Sequence, residues 1–209
     1  TAFLAPIVAA RRRDPHGDVI SELCQAQVDG RAFTDEEIYS HVRLLFPTGG
    51  ETTHGTLGNL LYALLTQDES WQRVCEDPQR AGGAVEEVLR WESSIAVLPR
   101  MSCDAPVDFH GARIPPDSWV LFAIAGANRD PAVFAEPDRY DIHRRCDAAL
   151  TFGPGPKSCP GMHLARKNLT VALQVLAERL PGLRLVDASA AVPRRTVLRS
   201  PDTLQVRWN

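Results

Sequence analysis

The sequence predicts a mainly α-helical chain with small β-sheets, and three observations carry that expectation. Apolar residues recur at helical spacing through most of residues 1–106. Short β-branched and aromatic pieces bounded by Gly and Pro occupy 107–126. A long helical run, Met162 to Leu180, then precedes a tail at 181–209 that offers one short strand. The 209 residues are 44% hydrophobic and 23% charged, the balance of an ordinary globular protein with room for a sizeable core. A formal net charge of -3 provides no basic footprint, so no nucleic-acid partner is expected.

Thr1 to Ala10 is apolar and is followed by Arg11, Arg12 and Arg13, which inverts the charge order of a secretory signal. It is too short to span a bilayer, and no membrane partner is expected. It reads as the last turns of a helix with cations at its C-terminus and Pro15 ending it, so the chain is expected to be truncated. Asp18 to Val28 places Val19, Ile20, Leu23 and Ala26 at helical spacing, with Asp29-Gly30 as the stop. Thr34 and Glu37 then form a capping box ahead of a run from Ile38 to Thr66. Pro47, Gly49, Gly50, Gly55 and Gly58 predict that this long helix is broken near its middle, where a ligand would lie. Asp68 to Cys75 and Ala84 to Trp91 read as two further helices, separated by Asp77-Pro78 and Gly82-Gly83.

The strand-like pieces are Val107 to Phe109, Ala112 to Ile114 and Trp119 to Ile124. A proline-rich coil and a cysteine loop fill 127–161, and Val206 to Trp208 reads as an edge strand. The loop is the most informative stretch. Phe152 to Gly161 reads Phe-Gly-Pro-Gly-Pro-Lys-Ser-Cys-Pro-Gly, which holds Cys159 between prolines that fix φ and glycines that let the backbone pass close to a flat ligand. A thiolate just before a helix start also gains from the unpaired N–H groups there. Those are the demands of an axial thiolate on haem iron.

Phe152, Gly153, Gly155, Cys159 and Gly161 together resemble the cysteine-loop signature of the cytochrome P450 haem-thiolate monooxygenases. The resemblance implies the C-terminal portion of that fold in a soluble bacterial-type member, as one partial domain over residues 1–209. It implies haem b, iron protoporphyrin IX, with Cys159 as the iron ligand and the loop residues shaping its seat. Lys157 stands where the family has His or Arg, so a contact to a haem propionate is carried by a point charge rather than a planar fork. Arg100, after Pro99, matches the arginine that reaches a propionate in relatives.

Glu87 and Arg90 fall on one face of a helix, and by themselves would make an exposed pair contributing about a few tenths of a kcal/mol. Their order before Arg139 in Glu-Pro-Asp-Arg-Tyr-Asp resembles the family's Glu-x-x-Arg helix and meander arginine, which implies a buried structural triad of Glu87, Arg90 and Arg139 behind the cysteine loop. The stretch Thr48-Gly-Gly-Glu-Thr-Thr53 resembles the oxygen-activation segment, with Thr48 in place of the usual Ala. It implies Glu51 as the acid that feeds protons and Thr52 as the catalytic hydroxyl. Ile95, Ala96, Val97 and Leu98, with Thr48, would line the substrate side of the haem.

The resemblance further implies a small apolar organic substrate and a ferredoxin or flavodoxin-type electron donor, docked where Arg144, Arg145, Lys157, Arg166 and Lys167 cluster around the loop. Five cysteines, an odd number with no Cys-x-x-Cys pair, point to a reducing cytoplasm rather than a zinc site or a disulfide framework. The family's chains are about twice this long. The alternative to a monooxygenase fragment is therefore a catalytically inactive haem-binding or structural remnant that self-associates or pairs with a missing N-terminal half.

Overall fold

In the computed structural model, which describes residues 1–67 and 69–209, the chain forms two compact units, Thr1–Glu51 and Thr52–Asn209. The first holds helices α1 (Leu4–Arg13) and α2 (Val19–Gln25), a hairpin of β1 (Gln27–Val28) and β2 (Arg31–Ala32), and the start of α3 (Asp35–Thr66). Asp18 caps α2 by accepting from the Ser21 amide at 2.8 Å. The helix expected to reach Val28 stops at Gln25, because Asp29 (φ 53) and Gly30 (φ 75) turn the chain back on itself. Two left-handed residues in Asp-Gly are the usual two-residue hairpin turn, and that chemistry overrides the apolar spacing before it.

The capping box forms as expected. The Thr34 amide donates to Glu37 Oε2 at 2.8 Å and the Glu37 amide to Thr34 Oγ1 at 3.3 Å. Arg31 grips the same carboxylate at 2.9 and 2.7 Å, fastening the hairpin to the start of α3. Val8, Cys24, Ile38 and Tyr39 form the buried core of this unit. Pro47 lies inside α3 rather than ending it. It removes one amide donor from a 32-residue ladder, so the expected break does not divide the helix into two elements.

The second unit continues with α4 (Ser70–Glu76), a 3-10 turn (Pro78–Arg80), α5 (Ala81–Trp91), β3 (Leu98–Met101), β4 (Val107–Phe109), β5 (Ala112–Ile114), β6 (Trp119–Phe122) and α6 (Ile124–Ala127). A second 3-10 turn (Gly155–Lys157), α7 (Met162–Arg179), β7 (Arg184–Leu185) and β8 (Val206–Arg207) complete it. The helix read from Asp68 is described from Ser70, and Asp68 itself lies outside the described residues. The core is built from helical pairs one turn apart: Leu60 and Leu64 on α3, Val85 and Val88 on α5, Leu169 and Leu173 on α7. Trp71 of α4 joins them and donates its indole N–H to the Pro181 carbonyl at 2.9 Å.

Two details position the site. Helix α5 begins at Ala81, with Gly82 and Gly83 in its first turn instead of before it. A Cβ on Gly83 would stand 2.3 Å from the Ile142 carbonyl oxygen, so this glycine lets the coil after α6 lie directly on the helix. Strand β3 pairs antiparallel with β6, from Leu98↔Phe122 to Met101↔Trp119, which puts Arg100 opposite Val120. The strand expected to reach Ile124 ends at Phe122, and Ile124 opens the helical turn α6.

Candidate functional site

Helix α5 is the platform from which the cysteine loop is held. Glu87 and Arg90 are fully buried and joined by two hydrogen bonds, 2.8 and 2.7 Å, in a bidentate pair. Arg90 also donates to the carbonyls of Asn128 and Pro137, each at 2.9 Å, and its guanidinium lies 5.3 Å from the Phe134 ring centroid. Glu87 accepts the Asp141 amide at 2.9 Å and Arg144 Nε at 3.2 Å. Every strong acceptor direction of this carboxylate is therefore used, which is the condition under which a buried charge is tolerated.

The third arginine of the triad is thus Arg144 and not the Arg139 expected from sequence. Arg139 points outward, 63% exposed, and pairs with Glu136 at 3.2 Å. Arg144 is 12% exposed, and its remaining N–H groups are taken by the carbonyls of Ala135, Glu136 and Arg139. The backbone of Arg139 belongs to the network even though its side chain does not. Cys146 joins as well, its thiol donating to Glu87 Oε2 at 3.4 Å. Burial first, and then the Glu87 carboxylate, push that thiol up to about 12.

A second set of bonds runs from α5 into the loop. Thr151 donates its hydroxyl to the Leu89 carbonyl at 2.6 Å, and the buried Asn128 accepts the Leu150 amide at 2.7 Å while donating to Thr151 Oγ1 at 3.0 Å. The next residue, Phe152, accepts the Cys159 amide at 2.8 Å and so closes the loop into a ring. Arg166 of α7 lies 4.7 Å over the Phe152 ring and grips Glu86 of α5 at 2.6 and 3.0 Å. Asn128, Thr151, Arg144 and Arg166 were not assigned these roles from sequence. A buried Asn just past so short a helical turn carries no periodic signal that would expose it.

Within the ring, Gly153 (φ 70) and Gly155 (φ 76) take left-handed backbone, and a Cβ on either would meet nothing within 4 Å. Cys159 is half-buried, and a Cβ on Gly161 would lie 3.9 Å from its Sγ. Lys157 is exposed at the end of the 3-10 turn, and Arg100 is exposed with its guanidinium on the Pro99 carbonyl at 2.8 Å. Ile95 and Val97 are half-buried and Ala96 is buried in the segment leading into β3, and Leu98, half-buried, opens that strand. Thr48 and Glu51 are exposed on α3, and Thr52 is half-buried on it.

Of the cations read as a docking cluster, Arg144 and Arg166 are engaged inward, and Arg145 pairs with Asp147 at 2.8 Å. Lys157 and Lys167 remain exposed.

The donor set fits an iron porphyrin. Among the described residues no group of three or more His, Cys, Asp or Glu side chains could hold a metal ion by itself. One soft thiol on an open, glycine-flanked loop would suit an iron that a macrocycle already holds.

The family model for cytochrome P450 matches residues 8–180. The chain belongs to the cytochrome P450 family. P450 proteins bind haem b through a cysteine, and this one carries the C-terminal portion of the fold. It is 35% identical to a steroid C26-monooxygenase of Mycobacterium tuberculosis over 92% of its own length and 52% of the relative's. It is 37% identical to the biflaviolin synthase CYP158A1 of Streptomyces coelicolor, over 99% and 51%.

Among solved structures, cytochrome P450 CYP109Q5 from Chondromyces apiculatus superposes with a TM-score of 0.94 at 38% identity, covering 99% of this chain and 53% of that one. P450BioI in complex with a fatty-acid-loaded acyl carrier protein gives 0.91 at 33%, covering 100% and 52%. This P450 chain spans about half the length of the curated relatives it matches. No helix among its described residues is long and apolar enough to cross a membrane.

Proposed function

We propose that this chain is the thiolate-bearing part of a haem-dependent monooxygenase that inserts one atom of dioxygen into a small apolar organic substrate. The observation that carries the reading is the ring from Phe152 to Cys159, closed by a 2.8 Å backbone bond, tied to α5 through Thr151, and presenting one half-buried thiol before α7. Cys159 would hold the iron, with Phe152, Gly153, Gly155 and Gly161 shaping the seat. Lys157 and Arg100 are exposed cations suited to the cofactor's carboxylates. Haem b, when bound, supplies the oxygen chemistry, in which two electrons and two protons from outside reduce one oxygen atom to water while the other enters the substrate. Glu51, exposed, takes protons from solvent, and the Thr52 hydroxyl beside it in sequence hands them on.

The electrons come from a ferredoxin or flavodoxin-type donor in the cytoplasm, a compartment in keeping with the five free cysteines. Ile95, Ala96, Val97, Leu98 and Thr48 are the substrate-lining residues of this reading. The test is isotope incorporation. With heavy dioxygen, a donor pair and a panel of apolar substrates, the haem-loaded protein should put a single labelled oxygen atom into product, and Thr52→Ala should lose most of that product. A haem-loaded protein that never labels a product would reject the reading.

A second reading, an inactive remnant that associates with itself or with a partner half, draws support from exposed aromatics, Phe46 at 85% in the first unit and Trp119 at 71% in the second. Gel filtration separates the two, since a haem-free oligomer favours the remnant.

A further inference from the structure

The two buried polar side chains of α3 between Thr52 and Asn59, Thr56 and Asn59, both bond to the segment 92–94, and Asn59 bonds to Arg199 as well. Asn59 donates to the carbonyls of Glu92 at 2.8 Å and Arg199 at 3.0 Å. Thr56 Oγ1 lies 2.8 Å from the Thr52 carbonyl oxygen and 3.0 Å from Ser94 Oγ. A Cβ on Gly55 would stand 3.4 Å from Ser200 Cβ and 3.7 Å from Ser94 Cβ, so the helix backbone is in close packing here. Ser94 is itself fixed. Its carbonyl accepts the Arg199 amide at 2.7 Å, Ile95 bridges to Leu198, and the Ala96 amide donates to Val197 at 3.2 Å.

A hydroxyl has one hydrogen to give. The Thr52 carbonyl can only accept, so Thr56 gives its hydrogen there, and Ser94 supplies the hydrogen of the second bond. The Thr52 carbonyl then serves two donors, the Thr56 amide of the helical ladder and the Thr56 hydroxyl. Sharing weakens the ladder bond and bends the turn. Thr66 makes the same back-bond to Tyr62 at 2.7 Å, but at the last residue of the helix. At Thr56 the hydroxyl is buried, 3% exposed, and anchored from outside the helix by Ser94.

We infer that Thr56 and Ser94 are positioning residues that set the backbone turn carrying Thr52, which rests on the reading of Thr52 as the catalytic hydroxyl. The anchor also begins the segment that leads into β3, so the turn below Thr52 and the strand bearing Arg100 are referred to one fixed point.

Amide hydrogen exchange in the purified chain tests this without any cofactor. Thr56→Val keeps the side-chain shape and leaves the Thr52 carbonyl to the Thr56 amide alone, so exchange at that amide should slow by about threefold, while Thr56→Ser keeps the wild-type rate. Thr56→Val combined with Ser94→Ala should show the same slowing without leaving the Ser94 hydroxyl unpaired. Exchange that is unchanged or faster at this amide in both Val variants reduces the hydroxyls to packing and overturns the proposal. Slowed exchange together with undiminished labelled product from Thr52→Ala supports the turn and rejects the catalytic reading of Thr52, so the two failures are distinguishable.

Discussion

Arg144 Nε donates to Glu87 Oε1 across 3.2 Å, joining the buried carboxylate of α5 to the coil that runs into the cysteine loop. Arg90 supplies the second guanidinium from one turn along the same helix. One carboxylate therefore ties its own helix to three points of one coil, the amide of Asp141, Nε of Arg144 and the thiol of Cys146.

Glu87→Ala leaves the Arg90 guanidinium buried without a carboxylate and should destabilise by roughly 3–5 kcal/mol and lose haem with the fold. Arg144→Ala leaves Glu87 paired with Arg90 and removes the bonds to Glu87 and to three carbonyls, so it should cost less, about 1–3 kcal/mol. Arg139→Ala, at an exposed pair, should stay within about 0.5 kcal/mol of the parent. Urea midpoints of the three variants check this, and a reversed order of Arg139 and Arg144 would contradict the assignment.

Two adjacent glycines separate packing from propensity. At Gly83 a methyl would meet the Ile142 carbonyl at 2.3 Å, whereas at Gly82 it meets nothing within 4 Å. Gly83→Ala should cost about 1–3 kcal/mol, because backbone has to move. Gly82→Ala should be neutral or stabilising by up to about 1 kcal/mol, since Ala is the better helix former. Thermal unfolding of the two variants gives the comparison directly.

The hairpin-to-α3 junction should be acid-labile. The Arg31 guanidinium, helped by Thr34, holds Glu37 well below its ordinary 4.5, at about 2. A depressed carboxyl stabilises the fold fully above the unfolded value and loses that contribution as pH falls from about 4.5 towards 2. Glu37→Gln should flatten the stability profile across this window and leave its slope above pH 5 unchanged, as followed by unfolding midpoints against pH.

Cys146 should be chemically quiet. Its thiol is raised from 9.0 to about 12, so at pH 8 its thiolate fraction falls by about a thousandfold relative to the unfolded chain. Alkylation followed by mass spectrometry should find Cys146 modified far more slowly in the folded protein than in denaturant. Equal rates would mean that the Glu87 network is open.

What was legible in the sequence was local. The Thr34–Glu37 box, the Glu87–Arg90 spacing and the helix after Cys159 each depend on neighbours within a turn or two, and each appears where the residues place it. The hairpin at Asp29-Gly30 was hidden by helical spacing in the residues before it. The choice between Arg139 and Arg144 is set by the path of 135–146, whose carbonyls from Ala135, Glu136 and Arg139 draw Arg144 inward. No periodicity records that path. Asn128 escaped for the same reason, since its partners, Leu150 and Thr151, are 22 and 23 residues away.

Everything proposed for this chain depends on Cys159 being the thiolate of a haem site. Its most direct test is the reduced, carbon-monoxide-bound absorption spectrum of the purified chain after addition of haemin, alongside Cys159→Ala. A red-shifted Soret band is expected in the parent and absent from the variant. The same band in both proteins, or none in a folded parent, would contradict it.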